Sequence, residues 1–422
     1  MKLFRKFPVP RLCVVDDHRK WPLTPFVMSA SHTSSRSELR RRSQNLRVRV
    51  RPFAQLDAED FAAWQRLEDK CRNGNPFLSA EFVQSATTHL GERAPLVLDI
   101  CDDRDLIGLG LFDAVRHTKY LPLPHLVGWR TGHTFLDGLL LHEDREHEAA
   151  HAVAEYMQSG THAWHGIEFK TAAVDSPGMG TLTDVLQQAG NAVWQGRGLQ
   201  RAALVPSTAG PERLLTSVSI PRARSLRKGW KELEKRGPVS FEIVDAAECS
   251  PEQIDAAANQ FLELEAAGWK AECGSAMKSS SEQLAFFQDL TRMLGQRGKL
   301  FFSQLCVGDE VVGSVVHLVS GREAFAFKLG WNPEFERGCP GFQLKARMVC
   351  EAAQQLGHLD LIDSCSQTDS FIERIWPDRR SIASWVCATS LPGKAALRVT
   401  QGLKMAKDYL VTNFRQLQGG GR

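Results

Sequence analysis

Apolar positions along this chain recur in two periods, and the alternation between them lays out the elements. Leu46, Val48 and Val50 alternate with arginines, which predicts a half-exposed strand over 46–53. Helical spacing follows at Ala58–Lys70, Asn73-Gly74-Asn75-Pro76 breaks it, and Ser79–Leu90 reads as a second helix. Strands are expected at Pro95–Cys101 and Leu106–Val115 around an Asp102-Asp103 turn, then a helix at Arg145–Gln158.

After a basic helical stretch, Arg222–Arg236, the same order returns. Val239–Val244 is a strand and Pro251–Trp269 a helix, and Ser279-x-x-Glu282 reads as a capping box opening another helix that Gly298 stops. Lys299–Val307, Val311–Val319 and Glu323–Trp331 are apolar strands joined at Gly308-Asp309 and Ser320-Gly321, the pattern of an antiparallel meander. Pro340-Gly341 opens a helix to Leu356, Leu359–Asp363 and Ile382–Thr389 complete a sheet, and a basic helix covers Lys394–Asn413. Two copies of one mixed α/β unit, each a mostly antiparallel sheet flanked by helices, account for the order. The expected divisions are a leader at 1–45, a first unit at 46–205, a basic connector at 206–238, a second unit at 239–390 and a terminal helix and tail at 391–422.

Charge changes the picture only when it is divided. Residues 1–51 carry 13 Lys and Arg against 3 Asp and Glu, so the excess basicity belongs to the leader and the rest is net acidic. The leader is rich in Ser and Arg without periodicity, which predicts disorder, and Met28 is a second candidate start. Pro8, Pro10 and Arg11 interrupt any secretory apolar core. The longest uncharged stretch near the C-terminus, Ser381–Gly393, is too short for a membrane span, so a cytoplasmic protein with no span is expected. Ten scattered cysteines without a C-x-x-C pair fit reduced thiols rather than a disulfide framework or zinc site.

Four places could carry chemistry. His147-Glu148-Ala149-Ala150-His151 has zinc-peptidase spacing, but Asp144, Arg145 and Glu146 precede it, and Ala150, Val153, Ala154 and Met157 form the apolar stripe. An amphipathic helix with a solvated His/Glu face, and no metal, is the expectation. On the 251–269 helix, Ile254, Ala257, Ala258, Phe261 and Leu264 define a buried face with Glu265 near its centre, while Glu263 points away. A carboxylate there is either a general base or a structural acid neutralised by a cation or backbone donors. Lys328 interrupts an apolar strand and is expected opposite Ser314, with His317 on the other face as a catalyst or a satisfied core residue. The loop Arg337-Gly338-Cys339-Pro340-Gly341 before a helix offers backbone donors to a phosphate, although Pro-Gly is also an ordinary helix start.

The order of strand, two helices, meander, glycine-bearing loop, helix and strand is that of the GNAT N-acyltransferase fold. The phrases FLELEAAGWK (261–270), FKLGWNPEFERGCPGFQL (327–344) and IDSCSQTDSFIERIWPDRRSIASW (362–385) resemble CelD-type proteins, GNAT-like acyltransferases of cellulose or exopolysaccharide gene clusters, which are related to the tandem-unit Fem-type aminoacyltransferases. The resemblance implies transfer of an acyl group, acetyl from acetyl-CoA as co-substrate, to an amine or hydroxyl of a polysaccharide or cell-envelope precursor. It implies that Glu265, or Asp363 through water, takes the acceptor's proton, with Lys328 and His317 as further catalytic candidates. Backbone at Leu329-Gly330 would polarise the thioester, and Arg337, Gly338, Gly341 and Phe342 would hold the cofactor. Trp269, Lys270 and Trp376 would contact substrate. The usual Gln/Arg-x-x-Gly-x-Gly/Ala is here Gly338-x-x-Gly341-x-Gln343, Pro340 removes one donor, and Tyr120, Tyr156 and Tyr409 leave no counterpart for the tyrosine that often protonates the leaving thiolate.

Two other readings stay open. A Fem-like transferase would use charged tRNA along Arg222, Arg224, Arg227, Lys228, Lys231, Lys235 and Arg236, whereas Glu232 and Glu234 favour a solvated connector. A non-catalytic accessory would instead partner the polysaccharide synthesis machinery.

Overall fold

A computed structural model describes residues 46–419 except 73, 104, 269–273 and 275. The leader therefore lies outside the described residues, as do Trp269 and Lys270. The fold is mixed α/β, one mostly antiparallel sheet flanked by helices.

In the first half the strands are β1 (Leu46–Pro52), β2 (Leu96–Asp102), β3 (Asp105–Val115), β4 (His125–Gly128), β5 (Leu139–Leu141), β6 (Gly166–Ala173), β7 (Ala192–Gln195) and β8 (Leu199–Leu204). In the second they are β9 (Val239–Asp245), β10 (Leu300–Val307), β11 (Glu310–Ser320), β12 (Glu323–Trp331), β13 (Leu361–Asp363) and β14 (Asp378–Ala388). Hydrogen bonding orders them β1-β2-β3-β4-β6-β14-β8-β13-β12-β11-β10-β9, with β5 beside β3 and β7 beside β14. Each half runs antiparallel until one parallel pairing, β4 with β6 and β12 with β13, each reached through a helix, Glu146–Gln158 or Pro340–Gln355. The last strands are then exchanged: β14 pairs with β6 of the first half, and β8 pairs with β13 of the second. β7 and β8 together run antiparallel along β14, Ala192 opposite Ala388 and Ala203 opposite Asp378.

Local chemistry explains most element boundaries. Ser250 caps the Pro251–Ala267 helix, its hydroxyl accepting from the Gln253 N–H while the Gln253 side chain accepts from the Ser250 N–H. The next helix, Ser281–Gln296, is capped one residue later than the Ser279-x-x-Glu282 pattern implies. Ser280 accepts from the Gln283 N–H, and its hydroxyl donates to Glu282 at 2.6 Å. Gly298 follows that helix at φ +63°. Short strands β4 and β5, together with β6, β7, β8 and the Pro177–Gln188 helix, add to the first half what its hydrophobic pattern does not announce.

Neighbouring strand residues send the two core faces apart. Phe302, Val316, Phe325 and Phe327 pack under the 251–267 and 281–296 helices, whereas Phe301, Val315, Ala324 and Ala326 pack under the 340–355 helix. A bulge at Phe327 interrupts this alternation: Val316 faces Lys328, and His317 faces Ala326. The expected pairing of Lys328 with Ser314 is thereby corrected: the hairpin closes with Ser320 opposite Glu323, which shifts the register by one residue, and the bulge shifts it by another, so Ser314 lies opposite Gly330 and Lys328 opposite Val316.

Candidate functional site

β12 is paired with β11 along its length but with β13 only through Glu323, Ala324 and Phe325. Beyond that point β12 and β13 diverge, and a cleft of about 370 Å³ opens beside the unpaired edge. Leu264, Glu265 and Gly268 line it at the end of the 251–267 helix, Leu329, Gly330 and Trp331 along β12, and Glu336 and Cys339–Phe342 at the start of the 340–355 helix, with Phe371 opposite.

The close approach of helix and strand depends on one glycine. A Cβ at Gly330 would stand 2.7 Å from the Glu265 backbone nitrogen, so any side chain here forces the helix away. Glu265 is buried on the predicted face with Ile254, Ala257, Ala258, Phe261 and Leu264, and its carboxylate accepts the Met277 N–H at 2.9 Å. Glu263 is exposed and pairs with Lys278.

At the other side of the cleft, Cys339 takes a left-handed conformation, φ 53° and ψ 58°, and starts the 340–355 helix without a side-chain cap. Pro340 has no N–H, the Phe342 and Gln343 N–H groups return to the Cys339 carbonyl, and no acidic residue occupies the first turn. The positive end of the helix dipole is thus left uncancelled at Gly341. A Cβ at Gly341 would meet Leu329 at 3.4 Å, ordinary contact, so this position has room. Phe342 packs on Phe371 with ring centroids 4.6 Å apart, and the Arg222 guanidinium sits over Phe342 at 5.5 Å. A second opening of about 270 Å³ along Ser219, Arg222, Ser225 and Leu226 shares Cys339 and Phe342 with the cleft.

Gly338 works at a different contact. Its Cβ would stand 2.2 Å from a Leu233 methyl, and a Cβ on Gly229 would stand 2.7 Å from the Gly338 carbonyl, so two glycines let the Ile220–Glu234 helix cross the loop. Gln343 ties the crossing by donating to the Leu226 carbonyl at 2.8 Å. Arg337 is exposed and does not line the cleft.

The cleft thus gathers Glu265, Leu329, Gly330, Gly341 and Phe342, and leaves the other predicted residues elsewhere. Asp363 is buried between Arg201 at 3.3 Å and Arg380 at 3.4 Å, with its Oδ1 accepting the Cys365 N–H. Arg380 also pairs with buried Glu323, whose pKa burial raises. His317 stacks on Phe301 at 4.3 Å and shares a 3.0 Å hydrogen bond with Ser303, and burial holds its pKa well below the ordinary value. Trp376 is buried, donating its indole N–H to the Lys345 carbonyl at 3.1 Å. Lys328 sits over the Phe327 ring at 5.3 Å near the seam with the first half, where it helps burial lower His133 to about 4. Phe371, Trp331 and the placement of Arg222 join the cleft without having been singled out as cofactor contacts.

The zinc-like pattern resolves into an ordinary helix. Glu148 is buried rather than solvated, bound by Arg145 at 2.6 Å, and among the described residues no group of three His, Cys, Asp or Glu could hold a metal.

Residues 221–366 match the acetyltransferase (GNAT) domain. That span contains every residue of the cleft except Phe371. Among curated proteins none matches the chain. Solved structures with a related chain course include FemX, at 11% identity and TM-score 0.49 over 81% of this chain and 98% of that one. The C-terminal domain of a putative lysylphosphatidylglycerol synthetase from Agrobacterium fabrum aligns at 11% identity and TM-score 0.48, over 81% and 94%. A tandem GNAT protein from the clavulanic acid biosynthesis pathway aligns at 13% identity and TM-score 0.34, over 82% and 99%. Among the described residues no helix is long and apolar enough to cross a membrane.

Proposed function

We propose that the protein is an acyl-CoA-dependent acyltransferase whose donor lies in the cleft between β12 and the 340–355 helix. The observation that carries this reading is the divergence of β12 from β13 beside an acid-free helix start, with buried Glu265 lining the same space. The residues suit the donor's parts: the Gly341 turn and Arg222 favour phosphates, while Leu329, Phe342 and Phe371 offer apolar walls to a pantetheine arm. An acyl thioester supplies an activated carbonyl carbon. Glu265 accepts the proton of the attacking amine or hydroxyl as it bonds to the carbonyl carbon, a backbone N–H of the β12 edge near Gly330 stabilises charge on the carbonyl oxygen, and collapse of the adduct breaks the C–S bond and releases CoA as the thiolate, which takes its proton from water. Acetyl is the proposed acyl group, and the resemblance to CelD-type proteins supports an acceptor among polysaccharide or cell-envelope precursors.

Calorimetric titration of the protein with acetyl-CoA and with CoA tests the donor. Binding that Gly341→Asp removes supports the reading, since the carboxylate would oppose the phosphates. Binding that survives unchanged moves the donor elsewhere.

One observation favours a charged-tRNA donor as the second reading: Arg224, Arg227, Lys228, Lys231 and Lys235 are exposed along the helix that borders the cleft's second opening. A tRNA affinity that falls steeply with salt, together with no CoA binding, would select it.

A further inference from the structure

Over its described side chains, 391–406, the C-terminal helix touches the body through one side only. Leu397 is buried, and a Cβ at Gly393 would stand 2.7 Å from the His165 carbonyl. The opposite side is apolar and bare. Leu391 is 81% exposed, Val399 63% and Leu403 69%, with Ala395 exposed between them. At about 100° per residue these four positions, each four apart, occupy roughly a third of the helix circumference.

Along the Leu391 edge of the stripe the charges, Lys394 and Arg398, have one sign. Lys394, Arg398 and Lys404 lie on this helix, and no acidic residue occurs from Leu391 to Lys407. No carboxylate pairs with these three cations among the described residues; Lys404 instead rests over the rings of Trp194 at 4.5 Å and Tyr120 at 5.5 Å. Exposed Lys119 stands over the same Tyr120 ring at 4.8 Å, on the side of the helix that faces the body. A helix with an apolar stripe and a purely cationic border matches a surface of acyl chains and anionic headgroups. Two copies of the helix packed stripe to stripe would set cations against cations with nothing to neutralise them.

We infer that the C-terminal helix docks the protein on the surface of an anionic lipid bilayer, the Leu391–Leu403 stripe entering the headgroup boundary and Lys394 and Arg398, along its Leu391 edge, meeting the headgroups. The helix lies on the membrane and does not span it.

Sedimentation of the full chain with vesicles of phosphatidylglycerol and phosphatidylcholine, against phosphatidylcholine alone, tests the inference. The expected result is pelleting with the anionic vesicles that weakens with salt and falls at least tenfold in Val399→Glu/Leu403→Glu. Arg398→Glu, which leaves the apolar stripe intact, is expected to lose several-fold. Both changes are at exposed positions, and unchanged thermal unfolding checks that the fold is kept. If the double variant unfolds, the Arg398→Glu result decides. Absence of pelleting by the wild type, or equal pelleting by wild type and folded variants, overturns the inference. So does a doubled solution mass by light scattering that the double variant abolishes without any vesicle binding, because the stripe would then be covered by a second copy.

Discussion

The two halves repeat one order of elements, yet only the second leaves space where its parallel strands part. In the first half the chain leaving β4 turns back at Asp137, which bridges to Ala172 and whose carboxylate accepts the Lys170 and Thr171 N–H groups at 2.8 and 2.9 Å. The donors that β6 turns toward the gap are thereby used up. What remains near Asp137, Leu139 and Glu146 is a cavity of about 40 Å³, against about 370 Å³ beside β12. The helix starts differ in the same sense. Glu146 and Glu148 occupy the first turn of the 146–158 helix and Arg145 is committed to Glu148 and Asp102, whereas the 340–355 helix has no acid in its first turn. The positive helix end is met by carboxylates in the first turn at one start and by none in the first turn at the other. The same architecture has become a filled scaffold on one side and a cleft on the other.

The sharpest way to break this contrast is Glu265→Gln, which keeps the side chain's size and removes its basicity. Turnover should fall by about 10² to 10⁴-fold while CoA affinity stays nearly constant, as steady-state kinetics and calorimetry would show. Unchanged turnover takes Glu265 out of the mechanism. Next in size is Gly341→Asp, expected to weaken CoA binding by roughly 10 to 100-fold, given about 1–2 kcal/mol or more from a misplaced charge at a helix start. Its counterpart in the first half is Asp137→Ala. Losing the acceptor for two buried amides should cost about 2–3 kcal/mol in denaturant unfolding and leave CoA affinity alone. A lost CoA affinity there would mean that the first half shares the donor site.

A smaller effect should come from Lys345, buried on the 340–355 helix over the Trp376 ring, whose pKa burial pushes down to about 8. A lysine with a lowered folded pKa binds fewer protons folded than unfolded, so its penalty is full below pH 8 and fades as the pH rises toward the unfolded value. Lys345→Met should therefore stabilise the protein by about 1–2 kcal/mol at pH 7 and by less at pH 10, measured by denaturant unfolding at both. Equal gains at the two pH values would assign the effect to packing.

Much of the second half could be read from the chain because its signals are local. The Ser250 cap, the tight turns at Gly308 and Gly321 with φ +59° and +55°, and the stripe that buries Glu265 are each written within a few residues. The first half hides β4, β5 and β7, which are three or four residues long and give no resolvable period. Register at Lys328 escaped because neither the closure of the hairpin at Ser320 opposite Glu323 nor the single bulge residue, Phe327, leaves a mark in the pattern. Phe371 lies in a short 3-10 turn, Phe371–Arg374, brought to the cleft by tertiary packing alone. Asp363 and Trp376 sit in a recognisable phrase, but their burial among Arg201, Arg380 and Lys345 depends on strands from both halves.

The exchange of β8 and β14 has a consequence for synthesis. While the ribosome is still making the second half, β6 has no β14 to cover its edge, because that strand ends at Ala388. A nascent chain stalled before that point presents both β6 and β8 as open edges, inviting pairing with another nascent chain. Closure of the first half must wait until Ala388 has been made, so a stop codon ahead of β14 should yield insoluble protein rather than a half-sized folded unit.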